Sequence, residues 1–483
     1  MLTRLEVHGF KNLLNFSIDF GPFNCIAGPN GVGKSNIFDA IRFLSLLADN
    51  KIIEAALKVR TSESENAESY DLLKEPKDLF WTDGINRVET IRIAAEMIVN
   101  AEVRDDFGRS GTANSTFLRY EVEIGYDEPK SKGTLGRLVL KSEKLDYITE
   151  GAASSRLKYP FPAKDFRRHV VKNRRRTDKG YISTETAEDD QTEILVHQDG
   201  GSSGKPQRSP AISAPRTIVG TTNTSATPTI LAARREMQSW SFLALEPSAM
   251  RRADRFFTDP HVTANGGHLP ATLHRLAKEA EKKEEDAASV YARVANQLSE
   301  VFPVRDIRVQ VDEVRQLLTL QAQELSKIFF PASSLSDGTL RFLTLCILEQ
   351  DPDLRGLLCM EEPENGVHPA VMSAMVDILH DLAVDPTFPP GEDNPLRQVI
   401  VATHSPKFVE LLDNKEGREE LLFAKFVGVK SPFDTPTRTL RCEPLKGTWR
   451  TTEDDPGIGI GGIITYLTNI PGDQIELHFT DEK

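Results

Sequence analysis

The sequence is poor in cysteine and has no long apolar run. Its four cysteines, at positions 25, 346, 359 and 442, form no CxxC pair, so neither a disulfide framework nor a zinc site is predicted. No stretch reaches the roughly 18 apolar residues of a membrane span, and the N-terminal residues lack the basic and apolar regions of a signal peptide. We therefore expect a cytoplasmic protein with no membrane partner.

The chain also lacks a surplus of positive charge. Asp and Glu number 72 against 59 Lys and Arg, for a formal net charge of -13, which argues against a protein that covers nucleic acid with its whole surface. Hydrophobic residues (39%) and charged residues (27%) are close to globular averages. A folded chain of 483 residues has material for roughly two to four domains.

Hydrophobic spacing predicts an α/β fold. Residues 2–27 have the pattern of two or three strands, followed by a glycine-rich turn and a helix from Lys34 to about Asn50. Alternating patterns over residues 89–99, 117–126 and 135–148 predict an antiparallel sheet. Residues 231–302 have helical spacing, and the apolar runs "GLLCM" and "QVIVATH" predict parallel strands in the last third of the chain.

Composition divides the chain into five predicted regions. Residues 1–160 and 306–430 are expected to form the two parts of one α/β domain with a mixed sheet. Between them, residues 161–230 are predicted to be a basic and low-complexity loop insertion, and residues 231–305 a helical arm or lid. Residues 431–483 are predicted to be a C-terminal tail or docking segment.

The sharpest motif is "GPNGVGKS", residues 28–35, which matches the pattern GxxxxGK[ST] between a predicted strand and a predicted helix. In such a P-loop, backbone amides at the helix start form a nest for phosphate, the lysine reaches the β and γ phosphates, and the serine hydroxyl ligates Mg²⁺. ATP and Mg²⁺ are therefore the expected cofactors. The candidate nucleotide-binding residues are Asn30, Gly31, Gly33, Lys34, Ser35 and Asn36, with Ser35 also a metal ligand.

An acidic strand end supplies the second half of this site. "GLLCMEEP" is an apolar strand that ends in Glu361 and Glu362, and acids in this position hold the Mg²⁺ sphere and align the attacking water. Adjacent residues on a strand point to opposite faces, so only a turn after the strand brings both carboxylates to the nucleotide. Pro363 favours such a turn.

The same stretch admits a different interpretation, a nuclease metal site made of Glu361, Glu362, Glu364 and His368. These carboxylates crowd one strand end, and no second acidic cluster follows in the C-terminal region. His368 precedes Pro369, which favours a helix start, and Glu364 would suit the N-terminal dipole of that helix. The nucleotide interpretation is therefore preferred.

Two further stretches complete a pattern. "SSLSDGTLRFLTL", residues 333–345, is a loop with Ser and Gly that opens an apolar helix, and "VIVATHSP", residues 399–406, is a buried strand that ends in Thr403 and His404. In this order, with the P-loop and the paired acids, they resemble an ABC-type ATPase of the RecF, SMC and OLD group, in which "LSDGTLR", residues 335–341, is the signature loop. The opening "LEVHGFKNL" resembles the same group, and the paired glutamates with a downstream "HP" resemble its OLD branch.

The resemblance implies an ABC ATPase head, a P-loop NTPase fold with an inserted α+β middle region, that pairs head to tail with a second copy. Each ATP would lie between the P-loop of one head and the signature loop of the other, so Ser336 and Gly338 would contact the γ phosphate of the partner's ATP. Glu362 would be the general base, and Glu361 would lie in the Mg²⁺ sphere. His404 would sense the γ phosphate.

The resemblance also implies a partner. Residues 231–251 resemble bacterial predicted ATPases that are often encoded beside a separate effector or nuclease. The expected function is an ATPase that works as a homo-oligomer of at least two heads and controls such an effector, in an antiphage defence system. An alternative function is a RecF-like DNA-binding ATPase of recombination and repair.

Three more positions follow from the resembled family. Lys11 and Asn12 lie where the group often touches nucleotide. ABC ATPases also carry a glutamine between P-loop and signature, whereas the first glutamine of this chain is Gln191, and Asp83 is the candidate for its role. The missing glutamine motivates a third function, a nucleotide-sensing scaffold that binds ATP but hydrolyses it slowly.

A basic run occupies residues 167–179, with seven Lys or Arg. Contacts from this run to DNA phosphates would release counterions and make binding depend on salt. The other interpretation is a solvated or protein-binding loop that pairs with the acidic stretch after it. Both interpretations stay open.

Overall fold

The computed structural model describes residues 1–59, 75–128, 136–162, 166–174, 179–186, 191–199, 205–324, 328–413, 417–453 and 456–468. Numbered in chain order, the strands are β1 (Leu2–His8), β2 (Phe16–Asp19), β3 (Phe23–Ala27), β4 (Thr90–Ile98), β5 (Glu102–Arg104), β6 (Ser110–Thr112), β7 (Phe117–Asp127), β8 (Arg137–Tyr147), β9 (Ile182–Thr186), β10 (Thr192–Val196), β11 (Gln207–Pro210), β12 (Ser241–Leu243), β13 (Asp254–Arg255), β14 (Asp306–Asp312), β15 (Leu317–Gln323), β16 (Phe329–Pro331), β17 (Gly356–Glu361), β18 (Arg397–Thr403), β19 (Leu421–Lys430) and β20 (Pro436–Pro444). The α-helices are α1 (Lys34–Leu47), α2 (Ile52–Lys58), α3 (Glu150–Arg156), α4 (Arg168–Val170), α5 (Ile218–Thr221), α6 (Pro228–Gln238), α7 (Pro247–Met250), α8 (Leu269–Lys282), α9 (Ala287–Ser299), α10 (Asp337–Glu349), α11 (Met372–Asp381), α12 (Pro406–Leu411) and α13 (Ile460–Thr468).

A six-stranded mixed sheet, of order β12-β17-β18-β3-β19-β20, carries the elements of the candidate site. The first five strands in this order pair in parallel with their neighbours, and the sixth, β20, is antiparallel to β19. Because apolar side chains pack on both faces, β3 and β18 are buried along their whole length. Ile26 faces the core that contains α1, whereas Cys25 and Ala27 face the core that contains α8 to α11. The predicted α/β class and its parallel strands "GLLCM" and "QVIVATH" are confirmed.

A second sheet is antiparallel, of order β11-β10-β9-β8-β7-β4-β1-β2. Strands β4, β7 and β8 confirm the three alternating segments predicted between residues 89 and 148. Apolar residues of this sheet, such as Ile93 and Val122, share one core with Ile37 and Ile41 of α1. The helix that follows the P-loop is therefore packed in the core common to both sheets.

Residues 182–186, 192–196 and 207–210 differ from the predicted loop insertion, because they form β9, β10 and β11, which extend the antiparallel sheet. Ile182, Ile194 and Leu195 are buried in or beside these strands. The surrounding Gly, Ser, Thr and Pro residues conceal this short apolar pattern in the composition. The predicted region boundaries themselves stay predictions.

The helical spacing predicted for residues 231–302 is confirmed in α6, α8 and α9. Val290, Val294 and Leu298 are buried on one face of α9. Between α6 and α8, however, the chain forms β12, the short helix α7 and β13. Helices α8 and α9 pack against a third, antiparallel sheet of order β13-β15-β14, to which β16 is added beside β15.

Part of the predicted C-terminal segment belongs to the mixed sheet. Strand β20 pairs with β19 from Lys430↔Pro436 to Leu422↔Pro444. The predicted segment of residues 431–483 therefore begins within a β-hairpin, directly after the last residue of β19. Further on, Ile463 of α13 is buried in the core of α8 to α11. None of the helices in the described ranges is both long and apolar enough to cross a membrane.

Candidate nucleotide-binding site

The P-loop connects the buried strand β3 to helix α1. Gly31 and Gly33 have φ of 80° and 100°, a region that only glycine adopts without strain. Gly33 is the N-cap residue of α1, and a Cβ atom there would lie 2.1 Å from Asn12 Nδ2. The loop therefore lies without a side chain at Gly31 or Gly33 at the start of a 14-residue helix, where the helix dipole favours a phosphate.

Lys34 lies over the same loop. Its ammonium group donates hydrogen bonds to the carbonyl oxygens of Gly28 at 2.6 Å and Pro29 at 2.9 Å. Burial lowers the pKa of Lys34, and the nearby carboxylates of Glu362 and Glu361 oppose this effect. A buried ammonium group bonded only to neutral carbonyls is well suited to exchange them for phosphate oxygens.

Ser35 and Glu361 meet at the edge of the mixed sheet. The Ser35 hydroxyl donates to Glu361 Oε2 at 2.8 Å, although the two residues are 326 positions apart in the chain. The Glu361 side chain is accessible from the cavity, yet partial desolvation by the surrounding protein raises the pKa of its carboxyl. A hydroxyl and a carboxylate oxygen at this separation are the hard donors that Mg²⁺ accepts together with phosphate and water, so these residues fit the metal.

Glu362 turns the chain directly after β17. Its φ is 48°, its amide donates to Ala402 O at 2.8 Å, and its carbonyl accepts from Asn365 N at 3.0 Å. This left-handed residue interrupts the alternation of the strand, so Glu361 and Glu362 face the same side. The turn predicted before Pro363 is thereby confirmed.

The P-loop and the paired acids line one cavity of about 370 Å³. Its walls are formed by Asn30, Gly31, Gly33, Lys34, Ser35, Asn36, Glu361, Glu362 and Ala402. The sheet order explains this convergence, because β3, β18 and β17 are parallel neighbours and their carboxyl ends open at the same edge.

His404 follows β18 and approaches the same acids. Its Nδ1 lies 2.9 Å from Glu362 Oε1, and the two side chains are 44% and 34% exposed. An imidazole in contact with this carboxylate can hold it in one orientation and leaves the second ring nitrogen free for another partner. The pair is therefore placed to act on a group bound in the cavity.

Ser336 and Gly338 are not among the residues that line the cavity. Ser336 is the N-cap of α10, and its hydroxyl accepts a hydrogen bond from Thr339 N at 3.2 Å. A Cβ atom on Gly338 would lie 3.2 Å from Gly366 O, so the signature loop packs closely on the turn that follows the paired acids. The structure does not bring these two residues to the P-loop of their own chain.

Glu364 has a different environment from the one predicted. It accepts a hydrogen bond from the Thr403 hydroxyl, and burial raises its pKa. Its Oε2 has no hydrogen-bond partner among the residues that the structure describes. The short 3₁₀ helix Pro369–Val371 begins instead at His368, whose Nδ1 accepts from Ala370 N at 3.2 Å. The predicted helix start is thus confirmed, but Glu364 is attached to strand β18 rather than to that helix.

The remaining candidates, Lys11, Asn12 and Asp83, do not line the cavity. Asn12 accepts a hydrogen bond from Asn36 Nδ2 at 2.7 Å and donates one to Val32 O at 3.2 Å. These two bonds hold the P-loop and the start of α1 in place. Lys11 binds Asp39 at 2.6 Å. Asp83 accepts from the amides of residues 85 and 86, and these bonds help lower its pKa to about 2; its carboxylate closes a turn.

Thr403 has contacts that its motif did not predict: its hydroxyl donates to Glu364 and accepts from Ser405 N at 2.9 Å. A hydroxyl residue directly before the switch histidine is the signal that could have indicated these contacts. Within the described residues, no cluster of three or more His, Cys, Asp or Glu side chains has the geometry of a metal site.

A family model described as AAA ATPase domain matches residues 1–409. The chain belongs to this family. The match spans every residue that lines the cavity, together with the signature loop and His404. The predicted assignment to the RecF and SMC group of ATPases is confirmed at the level of the family.

Curated relatives match this AAA ATPase domain over short stretches. The DNA replication and repair protein RecF of Psychromonas ingrahamii is 37% identical over 75 residues, which are 15% of this chain and 20% of the relative. The protein of the same name from Parabacteroides distasonis is 46% identical over 46 residues, 9% of this chain and 13% of the relative. The chain thus covers a fifth or less of the length of these two relatives.

Solved structures of SMC heads align along most of the AAA ATPase domain at low identity. An SMC head bound to the C-winged helix domain of ScpA aligns with a TM-score of 0.42 and 13% identity, over 91% of this chain and 97% of that chain. The SMC head domain from Thermotoga maritima has a TM-score of 0.34 and 11% identity over 91% and 97%. The family assignment does not depend on these alignments.

Proposed function

We propose that this protein is a Mg²⁺-dependent ATPase of the RecF, SMC and OLD type whose heads dimerise around ATP. The observation that carries the proposal is the pair of contacts across one cavity, Ser35 with Glu361 and Glu362 with His404. The first pair offers oxygen ligands for a metal, and the second offers a base held in place. Both pairs lie at the phosphate nest of a P-loop.

Each residue of the cavity has a defined task in this proposal. The amides of Gly31 and Gly33 and the ammonium of Lys34 bind the β and γ phosphates. When bound, Mg²⁺ neutralises negative charge on the phosphate oxygens, and Ser35 and Glu361 would hold it. Glu362 orients the attacking water and accepts its proton.

His404 completes this arrangement. Contact with its imidazole limits the Glu362 carboxylate to one orientation. The imidazole would also lie beside the γ phosphate of bound ATP, which it would sense.

The signature loop supports the head-to-tail dimer. Ser336 and Gly338 lie outside the cavity of their own chain, yet they stand at the start of the 13-residue helix α10, where amides and dipole favour an anion. A second copy would bring its ATP to this helix start. Each site would then be complete only in the dimer.

Self-association tests this proposal directly. We expect ATP with Mg²⁺ to convert Glu362→Gln, which binds but does not hydrolyse, from monomer to dimer by light scattering. Lys34→Ala should neither bind ATP nor associate, whereas the exposed Lys58→Ala should behave as wild type. Tight ATP binding by wild type without turnover would favour the nucleotide-sensing scaffold instead.

A separate effector is the proposed recipient of the ATP cycle. The proposal is supported by the resemblance of residues 231–251 to ATPases encoded beside an effector or nuclease, and antiphage defence is the proposed setting. Mass spectrometry of what co-purifies with Glu362→Gln and with Lys34→Ala tests it. A partner recovered with one nucleotide state but not the other supports this function, and an identical background with both contradicts it.

DNA binding is a second candidate, favoured by the RecF matches and by the basic run. Phe166, Val170 and Val171 are buried, which turns the side chains of Arg168, Lys172 and Arg174 to the surface. Residues 175–178 of the predicted basic run lie outside the residues that the structure describes.

A gel shift across a salt series tests the DNA function. Replacing Arg168, Lys172 and Arg174 by Ala should weaken binding and reduce the salt slope by up to about 3. The exposed trio Lys278, Lys282 and Lys283 on and after α8 is the matched control. Unchanged affinity in the first triple variant contradicts contact through the basic run.

A further inference from the structure

The segment from β12 to Arg251 contacts both the acidic strand β17 and the signature loop. Strand β12 pairs in parallel with β17, from Ser241↔Leu358 to Leu243↔Met360, beside the strand that ends in Glu361. Helix α7 follows and packs on α10. One short stretch of chain therefore touches both halves of the proposed ATP machinery.

Met250 anchors this segment on the signature helix. Its side chain is 1% exposed in the core of α8 to α11, and its sulfur accepts a hydrogen bond from the Thr344 hydroxyl of α10 at 3.1 Å. The next residue is thereby fixed relative to the start of α10.

Arg251 binds the signature loop on both sides of Ser336. Its Nη2 donates to the carbonyl of Leu335 at 2.9 Å and to the carboxylate of Asp337 at 2.6 Å. A planar guanidinium with one contact before and one after the serine restricts the backbone of this turn. The orientation of the Ser336 hydroxyl therefore depends on a residue far outside the motif.

Charge gives Arg251 a second effect. Asp337 is the first residue of α10 and its side chain is 55% exposed. A free carboxylate at this position would repel the triphosphate that the helix start is proposed to receive. The ion pair with Arg251 offsets this repulsion while the helix dipole still favours the incoming anion.

We propose that Arg251 is a positioning residue for hydrolysis of the partner's ATP. It holds the signature loop in the conformation that contacts the γ phosphate across the dimer, and it neutralises Asp337. This inference rests on the proposed head-to-tail dimer. It adds a requirement for a residue of the middle region that lies outside the P-loop, the signature loop, the acidic strand end and the switch histidine.

Kinetics give the first test. We expect Arg251→Ala to lower kcat by roughly tenfold, the size expected when a charged hydrogen bond is lost, with little change in KM and none in the Kd for ADP of the isolated chain. Arg251→Lys should recover part of the rate. The exposed Arg255→Ala is the matched control and should keep the wild-type rate. An unchanged kcat in Arg251→Ala overturns the proposal.

A mixing experiment separates action on the partner from action on the same chain. Lys34→Ala lacks a working P-loop but keeps its signature loop, whereas Arg251→Ala keeps its P-loop. An equimolar mixture should form hybrid dimers with one intact site and recover about a quarter of the wild-type rate. If Arg251 served its own P-loop, the mixture would stay as slow as its components.

A second mixture distinguishes failure of this inference from failure of the dimer. Ser336→Arg blocks the signature loop, and mixing it with Lys34→Ala should also restore part of the hydrolysis rate. If the mixture with Ser336→Arg regains activity but the mixture with Arg251→Ala does not, only the role of Arg251 is overturned. If neither mixture regains activity, the proposal of an ATP site shared between two heads is overturned. Should Arg251→Ala melt at a much lower temperature than wild type, Arg251→Met replaces it, since Met keeps a long side chain but removes both the contact with Leu335 and the ion pair with Asp337. Rescue of Arg251→Met supports the proposal, and a wild-type rate for that variant contradicts it.

Discussion

Glu362 Oε1 lies 2.9 Å from His404 Nδ1, and the backbone of Glu362 has a φ of 48°. The contact joins the ends of two neighbouring parallel strands, β17 and β18. A residue other than glycine in this conformation is costly, and here it is what places a second carboxylate beside Glu361. The strain is thus explained by the geometry that the proposed base requires.

Replacing Glu362 by Gln should abolish hydrolysis while ATP binding is kept. Loss of a general base costs about 10²- to 10⁴-fold, and the amide preserves the size of the side chain. Phosphate release under single-turnover conditions measures the effect, with the exposed Glu410→Gln as control. Equal rates for wild type and Glu362→Gln would remove Glu362 from the mechanism.

Replacing His404 by Ala should reduce kcat by about a hundredfold, as expected when the contact that orients the general base Glu362 is lost. Because the P-loop is untouched, we expect the Kd for ADP to stay within experimental error of wild type. Isothermal titration and steady-state turnover measure the two quantities. His261→Ala, at an exposed position that does not line the cavity, is the control. A weaker Kd in His404→Ala would indicate a binding role instead.

Replacing Ser35 by Ala should raise the Mg²⁺ concentration that gives half-maximal hydrolysis. The hydroxyl donates to Glu361 at 2.8 Å, and its removal leaves the proposed metal with one protein ligand fewer. A Mg²⁺ titration at saturating ATP measures the shift. Ser45→Ala, on the same helix, should leave the titration unchanged, and an identical curve for Ser35→Ala would argue against metal ligation.

Two glycine variants separate backbone strain from steric overlap in the P-loop. Gly31→Ala meets no atom within 4 Å but requires φ of 80°, whereas Gly33→Ala also places its Cβ 2.1 Å from Asn12 Nδ2. Forcing a side chain into this region costs about 1–2 kcal/mol. We expect both variants to bind nucleotide more weakly and Gly33→Ala to lose more, measured by fluorescence with a labelled ADP. Equal losses of nucleotide affinity would show that the Asn12 side chain moves away from the added Cβ atom without a cost in free energy.

The buried Glu143 should make stability depend on pH. It accepts hydrogen bonds from Ile218 N, Val219 N and the Tyr120 hydroxyl, and burial raises its pKa from 4.5 to about 7. The folded state therefore holds a proton that the unfolded state releases, so the free energy of unfolding falls as pH rises from about 4.5 through about 7. A shift of this size corresponds to about 3 kcal/mol.

Glu143→Gln removes this titration and keeps a hydrogen-bond acceptor. We expect the Tm of wild type to fall more than that of Glu143→Gln between pH 5 and pH 8, measured by calorimetry at each pH. Glu89→Gln makes the same change of charge at an exposed position and should follow wild type. Parallel curves for Glu143→Gln and wild type would contradict a raised pKa.

Local patterns predicted much of the site. The P-loop, the helix after it and the acidic strand end are each contained in fewer than twenty consecutive residues, and glycine spacing or alternation is enough to predict them. The turn at Glu362 followed from a simple conflict, since two neighbours on a strand cannot face the same side. Strands β9 to β11 were missed because composition alone does not show a short buried pattern within polar sequence.

Local sequence patterns were enough to predict the strand, P-loop and helix, the acidic strand end and the α/β class. The contacts of Ser35 with Glu361 and of Glu362 with His404, and the position of the signature loop outside the cavity, depend on how distant segments pack. The order of parallel strands causes this difference: β3, β18 and β17 are neighbours in space but are joined through long crossovers, and no local pattern contains that order. The contact of Arg251 with the signature loop likewise comes from packing between segments more than eighty residues apart.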